Sequence, residues 1–351
     1  LPCVQPATLS EFYSRAYSEM SEDCLTLNVW SRANTSADKL PVMFWIHGGA
    51  LVMGSGRDYD GASLTSKGVV VVTINYRLGP FGFFAHPGLS SESVNKVSGN
   101  QGFLDQIAAL KWVRDNIENF GGDPNNVTIF GESAGSWSVS VMQASPLARG
   151  LFHKVIGQSG ARFIPTPDLT EDRWGIPSAE SWGEKLGSKF TNNDGTSLET
   201  LRSLPAQEII NVYAKDAEVL MNFDYLTIVD GAVLPEDVDN IFKSGNQANV
   251  PALIGSNADE ATTFDPALLN PQATDLDYGE ALRAQVAMML PAGDATIFDL
   301  YSVEADVAQN SWVEFSTDAM FTQPMRLWAD YMQNVSSSAY LYWWTWAPIV
   351  D

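Results

Sequence analysis

The chain has 351 residues, 45% hydrophobic and 18% charged. One large α/β domain of that size buries roughly three quarters of its unfolded surface, and the composition excludes a disordered chain. Twenty Lys+Arg against 42 Asp+Glu leave a net charge of −22, a field that repels phosphate backbones and anionic lipid and excludes nucleic-acid binding.

The chain opens at Leu1-Pro2-Cys3 without Met or a basic–apolar–small leader, and both of its ends are expected to be cut. Cys3 and Cys24 are its two cysteines. They allow either a disulfide closing a short polar loop or two unpaired thiols; without a nearby histidine they do not make a metal site. Residues 25–30 alternate apolar and polar as a half-buried strand does. Residues 41–46 and 69–74 are nearly continuous apolar runs, the pattern of strands covered on both faces. The longest aliphatic run, 69–72, is far short of the ~18 apolar residues of a membrane span.

From 102 the period changes. Phe103, Ile107, Leu110, Val113, Ile117 and Phe120 line one face of a helix, and Gly121-Gly122-Asp123-Pro124 stops it. Further buried strands are expected at 127–130 and 155–157. Strand–helix–strand alternation of this kind implies a mostly parallel sheet with helical crossovers on both faces. Prolines 165, 167, 177 and 205 punctuate a looser stretch, read as a helical insertion at about 164–222 within a single domain, 1–351. Residues 252–255 restore a buried strand, 281–290 and 320–335 are helical, and 340–346 is a dense β-favouring run expected to be an internal strand.

Gly131-Glu132-Ser133-Ala134-Gly135 fits the nucleophile-elbow pattern, and its place between a buried strand and a helix is what the chemistry requires. Glycines on both sides permit a bend too tight for a Cβ, which exposes the serine hydroxyl. A helix starting there aims free N–H groups at a developing negative charge. His47-Gly48-Gly49-Ala50 ends another strand. The Gly48 and Gly49 amides, with that of Ala134, make a candidate oxyanion hole, while the His47 side chain reads as structural.

Ser21-Glu22-Asp23-Cys24-Leu25-Thr26-Leu27-Asn28-Val29 resembles the signature stretch of the type-B carboxylesterases, the family that includes the cholinesterases. Asn75-Tyr76-Arg77-Leu78-Gly79, Gly99-Asn100-Gln101-Gly102, Phe120-Gly121-Gly122-Asp123-Pro124 and the serine motif follow in the family's order. The resemblance is dense over residues 3–160 and thinner beyond. It implies an α/β-hydrolase fold, a Cys3–Cys24 disulfide and a catalytic acid at Glu260, with Asp259 and Asp265 as competitors. Glu132 and Ser159 resemble residues that shape the site in cholinesterase-like enzymes, and a purely structural role is equally open to both.

Among residues 4–23, Phe12, Tyr13 and Tyr17 are present but no Trp, so choline specificity does not carry over. Trp174, Trp182, Met221 and Phe223 are candidates for an acyl pocket, with core packing as the ordinary alternative. None of the three histidines, His47, His86 and His153, fits the base, which in the family follows the strand that 340–346 resembles. The expectation is a secreted or periplasmic serine carboxylesterase acting on small-molecule esters without metal or organic cofactor. The competing readings are a non-catalytic binding or adhesion domain and an inactive fragment.

Overall fold

The computed structural model of the chain describes residues 1–7, 17–192, 197–216, 222–269, 277–290 and 296–346. Seven strands form one sheet: β1 (Leu27–Trp30), β2 (Leu40–Ile46), β3 (Val70–Ile74), β4 (Gly122–Glu132), β5 (Lys154–Gln158), β6 (Ala252–Asn257) and β7 (Ala339–Trp344). Their order is β1-β3-β2-β4-β5-β6-β7. Every neighbouring pair is parallel except β1 with β3. This is the α/β-hydrolase arrangement that the resemblance implies.

The burial of each strand follows its sequence pattern. Val70–Ile74, apolar throughout but for Thr73, is buried at every position, while the alternating β1 is only part-buried. Helix α1 (Gln101–Asn116) buries Phe103, Ile107, Leu110 and Val113, the apolar face read from their spacing. One 3-10 turn (Ile117–Phe120) follows, and Gly121 ends it at φ 76°, a left-handed cap. Helix α2 (Ala134–Ala144) starts directly from β4 and packs on β4 and β5. Phe44, Ile46, Val72, Phe103, Val139 and Trp328 belong to the main core. A smaller cluster around Leu282, Val286, Trp312 and Phe315 lies between α6 (Tyr278–Met289) and α7 (Ala308–Thr317). Within the looser stretch the described residues form α3 (Ala179–Phe190), α4 (Leu198–Ser203) and α5 (Ala206–Lys215).

One element differs from expectation. The helix read at 320–335 instead runs on from α7 through a π turn (Asp318–Thr322) into α8 (Gln323–Tyr331) and closes in a 3-10 turn (Met332–Asn334). Pro324 has no N–H for the carbonyl four residues back, and a wider turn accommodates that loss. Strand β7, among the described residues, pairs with β6.

Register brings the carboxyl ends of four strands into one row. Glu132 pairs with Gln158, Gln158 with Gly255, and Gly255 with Tyr342. No helix among the described residues is long and apolar enough to cross a membrane.

Candidate active site

Ser133 stands where β4 turns into α2, at φ 55° and ψ −123°. Its N–H donates to the Gln158 carbonyl at 2.8 Å, and its carbonyl accepts the Trp137 N–H at 2.9 Å. Both flanking glycines are required. A Cβ on Gly131 would lie 2.5 Å from the Gly135 carbonyl carbon, and one on Gly135 would lie 2.1 Å from the Ile46 carbonyl oxygen. The bend is as tight as the motif requires, and Ser133 is left half-buried.

The second glycine corner follows β2 and lies against the first. A Cβ on Gly48 would come 2.8 Å from the Glu132 carbonyl oxygen and 3.3 Å from the Ser133 Cβ. Gly49 has φ 101°, and Ala50 and Leu51 continue in the left-handed region at 54° and 62°. Any side chain at 49 would strike the Met53 carbonyl oxygen at 2.2 Å. Among the described residues, none accepts a hydrogen bond from the amides of Gly48, Gly49 or Ala134. Two corners 85 residues apart in sequence therefore present free N–H groups next to one serine.

The acids gather on the same row of strand ends. Glu132 remains open to solvent at its edge, yet surrounding protein atoms and then the Glu260 charge push its carboxyl up to about 7. Glu260, half-buried at the start of the turn after β6, accepts the Asn257 backbone N–H at 2.7 Å and the Asn257 amide at 3.1 Å. The competitor Asp265 is held elsewhere: it accepts from Tyr278, Gln309 and the Ala267 N–H. Asp259 is exposed. Ser159 is buried at φ 59°, with its N–H on the Gly255 carbonyl at 2.8 Å. Burial and the Glu260 charge raise the Tyr342 phenol to about 12.

Each of the three histidines is held at Nδ1 by a backbone group. His47 is buried, its Nδ1 is 2.8 Å from the Gly48 carbonyl oxygen, and burial lowers it to about 4. His86 is buried and its Nδ1 accepts the Gly88 N–H. His153 precedes β5 and accepts the Val127 N–H, at the end of the sheet opposite Ser133. Sequence reasoning had no signal for two side chains beside the site. Tyr76 entered only as a motif letter, yet its hydroxyl donates to the His47 carbonyl at 2.9 Å. Arg162, fully buried, donates to the Phe223 and Asp224 carbonyls and lies over the Trp137 ring.

Of the acyl-pocket candidates, Trp182 stacks on Tyr225 and lines a cleft with Phe84, Leu186 and Tyr213. Trp174 is 61% exposed. Met221 lies outside the described residues, as do Phe12 and Tyr13; Phe223 is part-buried. Cys3 and Cys24 are joined in a disulfide.

The family described as the carboxylesterase family matches residues 2–347. The chain is 37% identical to para-nitrobenzyl esterase of Bacillus subtilis (strain 168), over 99% of this chain and 67% of that protein. It is 43% identical to fumonisin B1 esterase of Sphingopyxis macrogoltabida, over 76% of this chain and 47% of that protein. A carboxylesterase structure from Geobacillus stearothermophilus superimposes with a TM-score of 0.82 at 34% identity, over 99% of this chain and 69% of that one. Matches to fumonisin B1 esterase and to liver carboxylesterase 1F of Rattus norvegicus span about half the length of those relatives, 47% and 48%.

Proposed function

The chain belongs to the carboxylesterase family, and on that premise we propose that it hydrolyses small-molecule carboxylic esters by way of an acyl-enzyme. Ser133 Oγ attacks the ester carbonyl carbon and gives its proton to a histidine. The carbonyl oxygen becomes an oxyanion that accepts from the amides of Gly48, Gly49 and Ala134. Collapse of the tetrahedral intermediate expels the alcohol, which takes that proton, and water then repeats the sequence on the acyl group. Glu260 accepts the other imidazole N–H and stabilises the imidazolium. The base is a histidine other than His47, His86 and His153: the first two are buried with Nδ1 against backbone groups, and the third lies at the far end of the sheet.

One observation carries this reading: a serine at φ 55° between obligatory glycines, with amides of a second glycine corner free beside it. A structural turn has no need of donors left without acceptors. Glu132 and Ser159, crowded against the same strand ends, support a shaping role. The Cys3–Cys24 disulfide supports maturation in an oxidising compartment, secreted or periplasmic.

The test uses the protein expressed from its full reading frame. A fluorophosphonate probe is expected to label Ser133, and Ser133→Ala to abolish both labelling and p-nitrophenyl ester turnover. Turnover that persists in Ser133→Ala would end the assignment and leave a binding domain as the surviving reading.

A further inference from the structure

The two glycine amides beside Ser133 belong to peptide units whose carbonyls are both held from behind. The Gly48 N–H shares its peptide with the His47 carbonyl, and that carbonyl accepts the Tyr76 hydroxyl at 2.9 Å. The Gly49 N–H shares its peptide with the Gly48 carbonyl, which lies 2.8 Å from His47 Nδ1. In a trans peptide the C=O and N–H point in opposite directions, and this chain has no cis peptide among its described residues. A hydrogen bond that holds the carbonyl therefore aims the amide. Gly48 and Gly49, as glycines, have the broadest choice of backbone angles in the segment, so nothing intrinsic to them keeps these planes in place.

The arrangement also fixes the imidazole. A carbonyl oxygen only accepts, so Nδ1 carries the proton and Nε2 is the lone-pair nitrogen. Consistently, Nε2 is buried without any hydrogen-bond partner. The ring cannot swing away. It is stacked on Tyr76 with centroids 4.4 Å apart and planes 18° apart. Gly54 lies against its Nδ1 edge, where a Cβ would come within 2.5 Å of that nitrogen. Gly54 is itself clamped by the Gln5 amide, which accepts from its N–H at 2.7 Å and donates to its carbonyl at 3.1 Å. Gln5 also donates to the Cys3 carbonyl at 3.0 Å, beside the disulfide.

We propose that His47, as its Nδ1–H tautomer, and Tyr76 are positioning residues that set the two peptide planes presenting the Gly48 and Gly49 amides to the substrate oxygen. The role rests on the esterase reading above, and it replaces the passive structural role that the sequence suggests for His47.

Two readouts separate the failure of this proposal from the failure of that reading. The first needs no turnover: long-range 1H–15N correlation of the imidazole is expected to show His47 protonated at Nδ1 alone, and Tyr76→Phe to shift the Gly48 amide resonance. An Nε2–H tautomer, or an unmoved Gly48 amide, overturns the proposal even if the enzyme is active. The second is kinetic. With p-nitrophenyl butyrate, Tyr76→Phe and His47→Leu are expected to lower kcat about 10- to 100-fold while KM stays within about twofold. His47→Asn, whose amide N–H sits near the place of Nδ1–H, should recover most of the loss. Unchanged kcat in Tyr76→Phe overturns the proposal, and that variant decides alone should His47→Leu fail to fold. If wild type and Ser133→Ala prove equally inert, the esterase reading falls and the tautomer and amide shift still decide this one.

Discussion

A non-glycine residue at φ 55° and ψ −123° lies outside the regions open to L-residues. Ser133 is held there by its N–H on Gln158, by Trp137 on its carbonyl, and by glycines on either side that admit no Cβ. Such strain costs on the order of 1–3 kcal/mol, and glycine relieves most of it. Ser133→Gly is therefore expected to stabilise the fold by about 1 kcal/mol in urea unfolding while losing all probe labelling. A loss of stability would show that the bend is unstrained. Glu132, next door, yields a pH prediction. Its carboxyl is raised to about 7, by burial first and then by Glu260, so the folded state holds a proton that the unfolded chain releases near the ordinary 4.5. The stabilising contribution is full below that ordinary value, declines as pH rises through the window, and is gone above about 7. Glu132→Gln, permanently neutral, should thus gain stability relative to wild type as pH climbs from 4.5 to about 7. A difference that is flat across that window would mean that Glu132 is ionised throughout.

Elements rather than residues decide where the two corners meet. The loop after β3 carries Asn75, Tyr76 and Arg77, and it is pinned twice. Asn75 accepts from Ser55 and the Gly56 N–H and donates to the Cys24 carbonyl, while Arg77 forms a two-pronged pair with Asp105 of α1 at 2.8 and 2.7 Å. Asp105 also accepts the Arg77 backbone N–H at 3.1 Å and is nearly buried. Removing one partner of such a pair strands the other, but Arg77 is 38% exposed and water recovers part of the loss. Asp105→Ala should accordingly cost about 2 kcal/mol, below the full range for buried pairs. A loss under about 0.5 kcal/mol would put the pair among weak surface bridges.

The seven strands and α1 were legible because each writes a simple period: two or unbroken for strands, 3.6 for the helix. The π turn at 318–322 and the early start of β4 at Gly122 were not. The first follows from one proline's missing donor, and the second from pairing of Gly122 with Leu40 on a neighbouring strand. The glycine corners were readable as motifs. The bonds behind them were not, since the Tyr76 hydroxyl and the His47 carbonyl are 29 residues apart and meet only across the sheet.

For the whole molecule, the surplus of one sign of charge acts on folding and on association together. With 42 acidic against 20 basic residues, self-repulsion strains the compact state and also keeps copies apart. Salt screens charges beyond about 10 Å at 0.1 M, so it weakens both consequences of the charge at once. Raising NaCl from about 10 to about 300 mM should therefore increase the melting temperature, and a melting temperature indifferent to salt would mean that the 22 excess negative charges are too dispersed to oppose folding.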